Sequence, residues 1–187
     1  MKITKILLAT LTGIILVSGT PAFAQKSNEA DAAQTTPLIK WYSFEEAVKK
    51  NKKKPRKIFI DVYTDWCGWC KKMDKETFMN PQLAEYINEN FYPVKLNAEQ
   101  KEAITFKGQE FVNPNPDRNR SPHQLAIAIL KQEMSYPSYV ILDEKSDWLF
   151  KIRGYKSSDD LLPVLKYFGS NQYKVMSWTE FNESKNL

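Results

Sequence analysis

Cysteine is scarce in this chain: there are two among 187 residues, Cys67 and Cys70. With His123 as the only histidine, the sequence cannot complete the four-ligand Cys/His set of a structural zinc site. Metal binding is therefore set aside. Long apolar runs are missing too, since the stretch from Ile6 to Val17 falls short of the roughly 20 residues a membrane-spanning helix needs. The basic run Lys49-Lys50-Asn51-Lys52-Lys53-Lys54-Pro55-Arg56-Lys57 has no interleaved aromatics to stack on bases, which argues against nucleic acid. It reads instead as the solvated C-terminal end of a helix, where cations complement the dipole. No arginine stands near Cys67 in sequence, so Thr64 alone does not make a peroxide-reducing site. There is no internal repeat.

What the N-terminus does contain is a basic start with Lys2 and Lys5, the apolar stretch, and Ala22-Phe23-Ala24. These are the three parts of a secretory signal peptide, with cleavage expected after Ala24. The absence of a cysteine after the apolar stretch argues against a lipid-anchored form. Residues 25–40 read as a flexible leader, and 41–187 as one domain of a size that buries a substantial core. Removal of Lys2 and Lys5 lowers the formal charge from +5 to +3. An exported protein meets an environment in which disulfides form and persist.

The two cysteines stand in Trp66-Cys67-Gly68-Trp69-Cys70, directly after the apolar run Ile58-Phe59-Ile60-Asp61-Val62-Tyr63. A strand that runs into Cys-X-X-Cys at a helix start can exchange disulfides, because residues three apart on a helix lie within the reach of a disulfide. The helix N-terminus favours a thiolate, Lys71 and Lys72 add positive charge, and such surroundings lower a cysteine pKa to about 3.5–7.5. The competing reading is a static staple. Closing a two-residue loop constrains little of the unfolded chain, which leaves stability a poor reason for the pair.

Along the chain, Ser43 with Glu46 opens a short helix by the capping-box pattern. Lys57–Tyr63 reads as a strand buried on both faces and Phe91–Asn97 as a second strand. Between them the helix carrying Cys70 runs to about Phe78, and Asn80-Pro81 restarts it. Residues 100–121, with Asn113-Pro114-Asn115-Pro116-Asp117, read as an insertion that is either a functional loop or locally disordered. Ser121-Pro122 starts another helix, Tyr139–Asp143 and Trp148–Arg153 are strands, and Ser157 or Ser158 caps a last long helix through Phe168. The extension 169–187 carries enough aromatic residues to pack.

This order of elements, an α/β domain with a mixed sheet flanked by helices, resembles the thioredoxin family over roughly Trp41 to Gly169. Three matches go beyond the cysteines: Asp61 six residues before Cys67, Lys95 in the next strand, and Pro137 before the third core strand. The split helix around Thr77-Phe78-Met79-Asn80-Pro81 looks more like the domains of exported disulfide reductases. Trp69 departs from the proline of thioredoxins proper, and 100–121 is extra.

By the resemblance, Cys67 is the nucleophile, Cys70 the resolving thiol, and Asp61 a buried acid paired with Lys95. Burial raises a carboxyl pKa, and such a group can take the proton of Cys70 as a general base. The alternative is a carboxylate satisfied by backbone or by Lys95 alone. Pro137 is expected in cis, presenting the Tyr136 backbone to an extended client; as a bare sequence fact, a proline opening a strand is ordinary. Trp66 and Trp69 offer an apolar landing surface, or are packing residues. His123 is read as a first-turn helix residue without a catalytic role. The expected function is an exported thiol–disulfide oxidoreductase, acting as a reductase on protein clients with disulfides, needing no cofactor, and recharged by a membrane electron donor. The alternative is a binding module of the same fold without redox turnover.

Overall fold

The structure is a computed structural model and describes residues 38–184. The signal peptide and residues 25–37 of the expected leader lie outside these residues. Leu38–Lys40 do not behave as leader: Ile39 is buried against the domain, and the Lys40 amide donates to Asn88 Oδ1.

The elements follow in the order α1 (Phe44–Lys53), β1 (Lys57–Tyr63), α2 (Gly68–Lys75), α3 (Pro81–Asn90), β2 (Phe91–Asn97), β3 (Ile104–Phe106), β4 (Gln109–Phe111), α4 (Gln124–Ile129), β5 (Ser138–Leu142), β6 (Trp148–Arg153), α5 (Ser158–Gly169) and α6 (Trp178–Glu183). Short 3-10 turns stand at Thr77–Met79 and Gln172–Lys174. The main sheet has the order β2-β1-β5-β6, with β1 parallel to β2 and antiparallel to β5. This is the thioredoxin-like mixed sheet that the element order implied.

Alternation along the strands divides the core in two. Ile58, Ile60 and Val62 of β1, with Val94, Leu96, Val140 and Leu142, meet α1 and α4. Phe59, with Phe91, Tyr139 and Ile141, meets Met73 of α2 and the apolar faces of α3 and α5. Asp61 has the parity of Phe59, so it points to the face that α2 covers. Lys95, four residues from Phe91, has the same parity on β2.

Sequence features account for most boundaries. Ser43 and Glu46 form the capping box of α1, Asn80 caps α3 with Pro81 at its first position, and Ser157 caps α5. Four expectations change. The helix carrying Cys70 ends at Lys75 rather than near Phe78, and a 3-10 turn carries the chain on. α4 starts at Gln124, because His123 is its buried N-cap and its ring Nδ1 accepts the Leu125 amide. The basic run is not wholly solvated: Lys57 opens β1 and is buried, its Nζ donating to Glu144 Oε1 at 2.6 Å and Asn171 Oδ1 at 2.9 Å. The insertion is built rather than irregular. It holds the hairpin β3–β4, turned at Lys107-Gly108 with φ of 51° and 79°. Two consecutive positive φ values are the geometry of a tight hairpin turn, and glycine at the second position relieves it. Among the described residues no helix is long and apolar enough to cross a membrane.

Candidate disulfide-exchange site

β1 leads through Thr64, Asp65 and Trp66 to Cys67, which is the N-cap of α2. Its amide donates to the Thr64 carbonyl, and its Sγ accepts the Cys70 amide at 3.1 Å. Cys67 and Cys70 form a disulfide across a Cα–Cα distance of 5.3 Å. The first turn of α2 holds no acidic residue, so nothing there opposes the pull of the helix end on a thiolate. Cys67 is 5% accessible, against 2% for Cys70. Its sulfur is bonded to Cys70 and accepts the amide of that residue, which holds it at the helix end. Gly68 has open space where a Cβ would stand, so this side of the pair is uncrowded.

The parallel register sets Asp61 beside Lys95, and the antiparallel register sets Asp61 beside Tyr139. Asp61 is 1% accessible. Its Oδ2 accepts from Lys95 Nζ at 2.6 Å, while its Oδ1 is buried without a hydrogen-bond partner. Burial raises the carboxyl from 3.8 to about 6 against the opposing pull of Lys95, and Asp74 adds a smaller push upward. Lys95 Nζ also contacts Asp74 Oδ1, so one ammonium joins a buried acid to an exposed one. Desolvation acts on Lys95 in the other direction, but its two carboxylates hold its pKa above the usual lysine value. Lys95 and Asp74 line a cleft of about 580 Å³ with Leu38, Trp41 and Phe78, which opens this charged group to the surface. The Tyr139 hydroxyl and Thr64 Oγ1 are likewise buried without partners, and burial pushes the Tyr139 phenol above its ordinary range.

The Tyr136–Pro137 peptide bond is cis. Val62 pairs with Ser138 across β1 and β5, which puts Pro137 at the end of β1 that leads into the cysteines. The Tyr136 ring meets Trp66 edge to face at 5.8 Å, and burial, with Glu99 adding, raises its phenol to about 12. Trp66 and Trp69 are 50% and 58% exposed; Trp69 leans on Tyr155 with ring centroids 5.5 Å apart. Each ring thus packs on a neighbour and keeps about half of its surface open to solvent. His123 lies at the base of the insertion, where its Nε2 is 3.2 Å from the Glu102 carbonyl and burial lowers its pKa.

Sequence reasoning missed Asp74, Glu99 and Arg120. Asp74 had a signal, since it stands one helical turn after Cys70. Glu99 and Arg120 had none: Glu99 reaches Trp66 across the β1–β2 pairing, whose register ends at Tyr63 and Asn97, and Arg120 through the fold of the insertion.

A profile described as a thioredoxin-like domain matches residues 44–169. The chain is 36% identical over 64 residues to spermatogenesis-associated protein 20 of Rattus norvegicus, covering 34% of this chain and 8% of that protein. It is 36% identical over 90 residues to the thiol:disulfide interchange protein DsbD of Vibrio vulnificus, covering 41% of this chain and 15% of that protein. The chain thus spans a small part of the length of these curated relatives. Among solved structures it resembles a thioredoxin-fold protein from Helicobacter pylori, with a TM-score of 0.50 and 20% identity over 70% of this chain and 81% of that one. A thioredoxin from Thermus thermophilus gives a TM-score of 0.51 and 15% identity over 70% of this chain and 87% of that one. With its mixed sheet, its Cys-Gly-Trp-Cys pair at the head of α2 and a match over residues 44–169, the chain belongs to the thioredoxin-like domain family.

Proposed function

We propose that the protein is an exported thiol–disulfide oxidoreductase that reduces disulfides of protein clients. One observation carries this reading: a cysteine pair closed as a disulfide at a helix N-terminus, with a half-satisfied buried carboxyl near pH 6 on the sheet face which that helix covers. In the reduced protein the Cys67 thiolate attacks a client disulfide. A Cys67–client bond forms, the client S–S bond breaks, and the first client sulfur leaves as a thiolate that takes a proton from water. Cys70 then gives its proton to Asp61 and attacks Cys67 Sγ, which releases the second client thiolate and closes the Cys67–Cys70 bond. Two electrons pass to the client, and a dithiol donor restores the pair.

Asp61 is suited to this step because it is ionised above about pH 6 and has a free lone-pair atom in Oδ1. Lys95 holds the carboxylate in place and, with Asp74, offers the proton a way to the cleft. Tyr136, Pro137, Trp66 and Trp69 form the surface on which an extended client lies. Export rests on the pattern of Met1 to Ala24 and would put the pair where disulfides persist; a membrane-bound dithiol donor is part of the same proposal.

The test is insulin reduction with dithiothreitol as the donor. The protein should accelerate insulin precipitation over dithiothreitol alone, and Cys67→Ser should abolish the acceleration. No acceleration by the wild type would leave a binding module with a permanent disulfide. The equilibrium potential of the pair against glutathione gives the direction, with about 30 mV equivalent to 1.4 kcal/mol.

A further inference from the structure

The insertion reaches the rim of the cysteine pair by a route that local sequence conceals. Its second half, residues 113–121, is a loop closed at its base by Asn113. The Asn113 side-chain amide donates to the Ser121 carbonyl at 2.8 Å and to the Glu99 and Gln100 carbonyls at 3.3 Å each. Its Oδ1 accepts from Ser121 Oγ at 2.8 Å and from the Asn115 amide at 3.1 Å. Both ends of this clamp are buried. Next to it, the His123 amide donates to the Ala98 carbonyl at 2.7 Å, which ties the loop to the end of β2.

Arg120 is the residue immediately before the clamp. Its φ of 59° is left-handed, a conformation that residues other than glycine adopt when the surroundings dictate it. The result is a guanidinium carried over the Trp66 ring, 4.9 Å from its centroid. Trp66 is held from two further directions, by the Tyr136 ring and by the hydrogen bond from its Nε1 to Glu99 Oε1 at 3.0 Å. The charges of this rim are then mostly engaged. Glu99 is used by the indole, Asp65 accepts from Asn97, Lys72 pairs with Glu76, and Asp117 at the loop tip pairs with Lys101. Arg120 is exposed, and it takes part in none of the ion pairs seen among the described residues. It stands on the residue that precedes Cys67, and that residue touches the one that precedes Pro137.

We propose that Arg120 is a specificity-determining residue, its guanidinium serving as counterion for a carboxylate carried by the client chain beside its disulfide. The inference rests on the exchange activity proposed above and adds a preference for acidic client sequences. A guanidinium is fitted to the task because its fork pairs with a carboxylate in two parallel hydrogen bonds while its face stays stacked on an indole. Asn113 is a positioning residue in this scheme, since it sets the loop that presents Arg120.

The experiment compares three cyclic disulfide peptides that differ only in having Glu, Gln or Lys next to each cysteine, with kcat/KM measured for each. Ratios between peptides are the readout, so a change in Cys67 reactivity common to all three cancels. At low ionic strength the wild type should favour the Glu over the Gln peptide by about two- to fivefold, the range of a solvent-exposed ion pair, and the preference should shrink at high salt. Arg120→Gln should bring the ratio to one, Arg120→Glu should shift it toward the Lys peptide, and Asn113→Ala should reduce it with Arg120 still present. A wild type without preference at low salt, or Arg120→Gln with the full preference, would overturn the proposal. If no peptide is reduced, the exchange reading fails separately, and NMR titration of the same peptides into the oxidised protein decides: tighter binding of the Glu peptide that Arg120→Gln removes upholds Arg120, and equal binding of all three overturns it.

Discussion

Replacing Asp61 by asparagine removes a charge that the native fold holds at a cost. Burial lifts this carboxyl from 3.8 to about 6, so the folded protein binds the proton more tightly than the unfolded chain does. For a group shifted in this direction, the stabilisation is fully present below about pH 3.8 and is lost as pH rises through about 6. A shift of some two units, at 1.36 kcal/mol per unit, makes the ionised carboxylate a burden of about 3 kcal/mol at neutral pH. Asparagine has the shape of the protonated acid and cannot ionise, and Lys95 keeps Asp74 as its counterion. Oxidised Asp61→Asn should therefore be more stable than the wild type by up to about 3 kcal/mol near pH 7.5, and the gap should close toward pH 4. Urea unfolding with the disulfide intact, followed by tryptophan fluorescence at a series of pH values, measures this directly. A mutant that is no more stable near pH 7.5, or a gap that does not change with pH, would refute the reasoning that Asp61 is buried, charged and half satisfied.

The same substitution should slow release of the mixed disulfide about a hundredfold while changing its formation little, because the base serves Cys70 and not the first attack. In the wild type the release rate should fall as pH drops through about 6 and in Asp61→Asn it should be flat; stopped-flow fluorescence that finds both steps slowed equally would remove the base from the mechanism. In the reduced folded protein, iodoacetamide should label Cys67 well before Cys70, with a titration below the free value of about 8.5; preferential labelling of Cys70 would reverse the assignment. Trp69→Ala should leave stability within about 0.5 kcal/mol, since the ring is exposed, yet lower kcat/KM for insulin; an unchanged rate would return Trp69 to the ordinary surface.

The parts of this site that were legible in the sequence are those written in local order. The apolar runs of β1 and β2 end where the structure ends them, because strands buried on both faces admit few polar residues. The cysteine pair announces itself by spacing, and Asn80-Pro81 by capping chemistry. Lys95 beside Asp61 came through family resemblance and not from composition, since register is a relation between strands that neither carries alone. The hairpin in the insertion escaped notice because strands of three residues are too short to show alternation. Its one signal was Gly108 in a two-residue turn between Phe106 and Gln109. Arg120 and Glu99 were invisible for a different reason: Arg120 reaches Trp66 only through the loop that Asn113 closes, and Glu99 only across the pairing of β1 with β2.

The burden carried by Asp61 bears on why the residue is there. Every other residue of β1 up to Val62 is buried, and all but Lys57 at its start are apolar, so an aliphatic side chain at position 61 would suit the face that holds Phe59 and Tyr139. Lys95 only partly offsets the burial, since the carboxyl stays raised to about 6 in spite of a 2.6 Å contact. A purely structural ion pair would be arranged the other way, with both carboxylate oxygens engaged and the pKa depressed. Here one oxygen is engaged, the other is bare, and the ammonium is shared with Asp74 at the edge of a cleft. That arrangement keeps the carboxyl ready to gain and lose a proton near neutral pH, on the sheet face covered by the helix that carries Cys70. In the proposed reaction stability is given up at the position that takes the Cys70 proton, which is the physical reason to propose Asp61 as part of the chemistry and not of the scaffold.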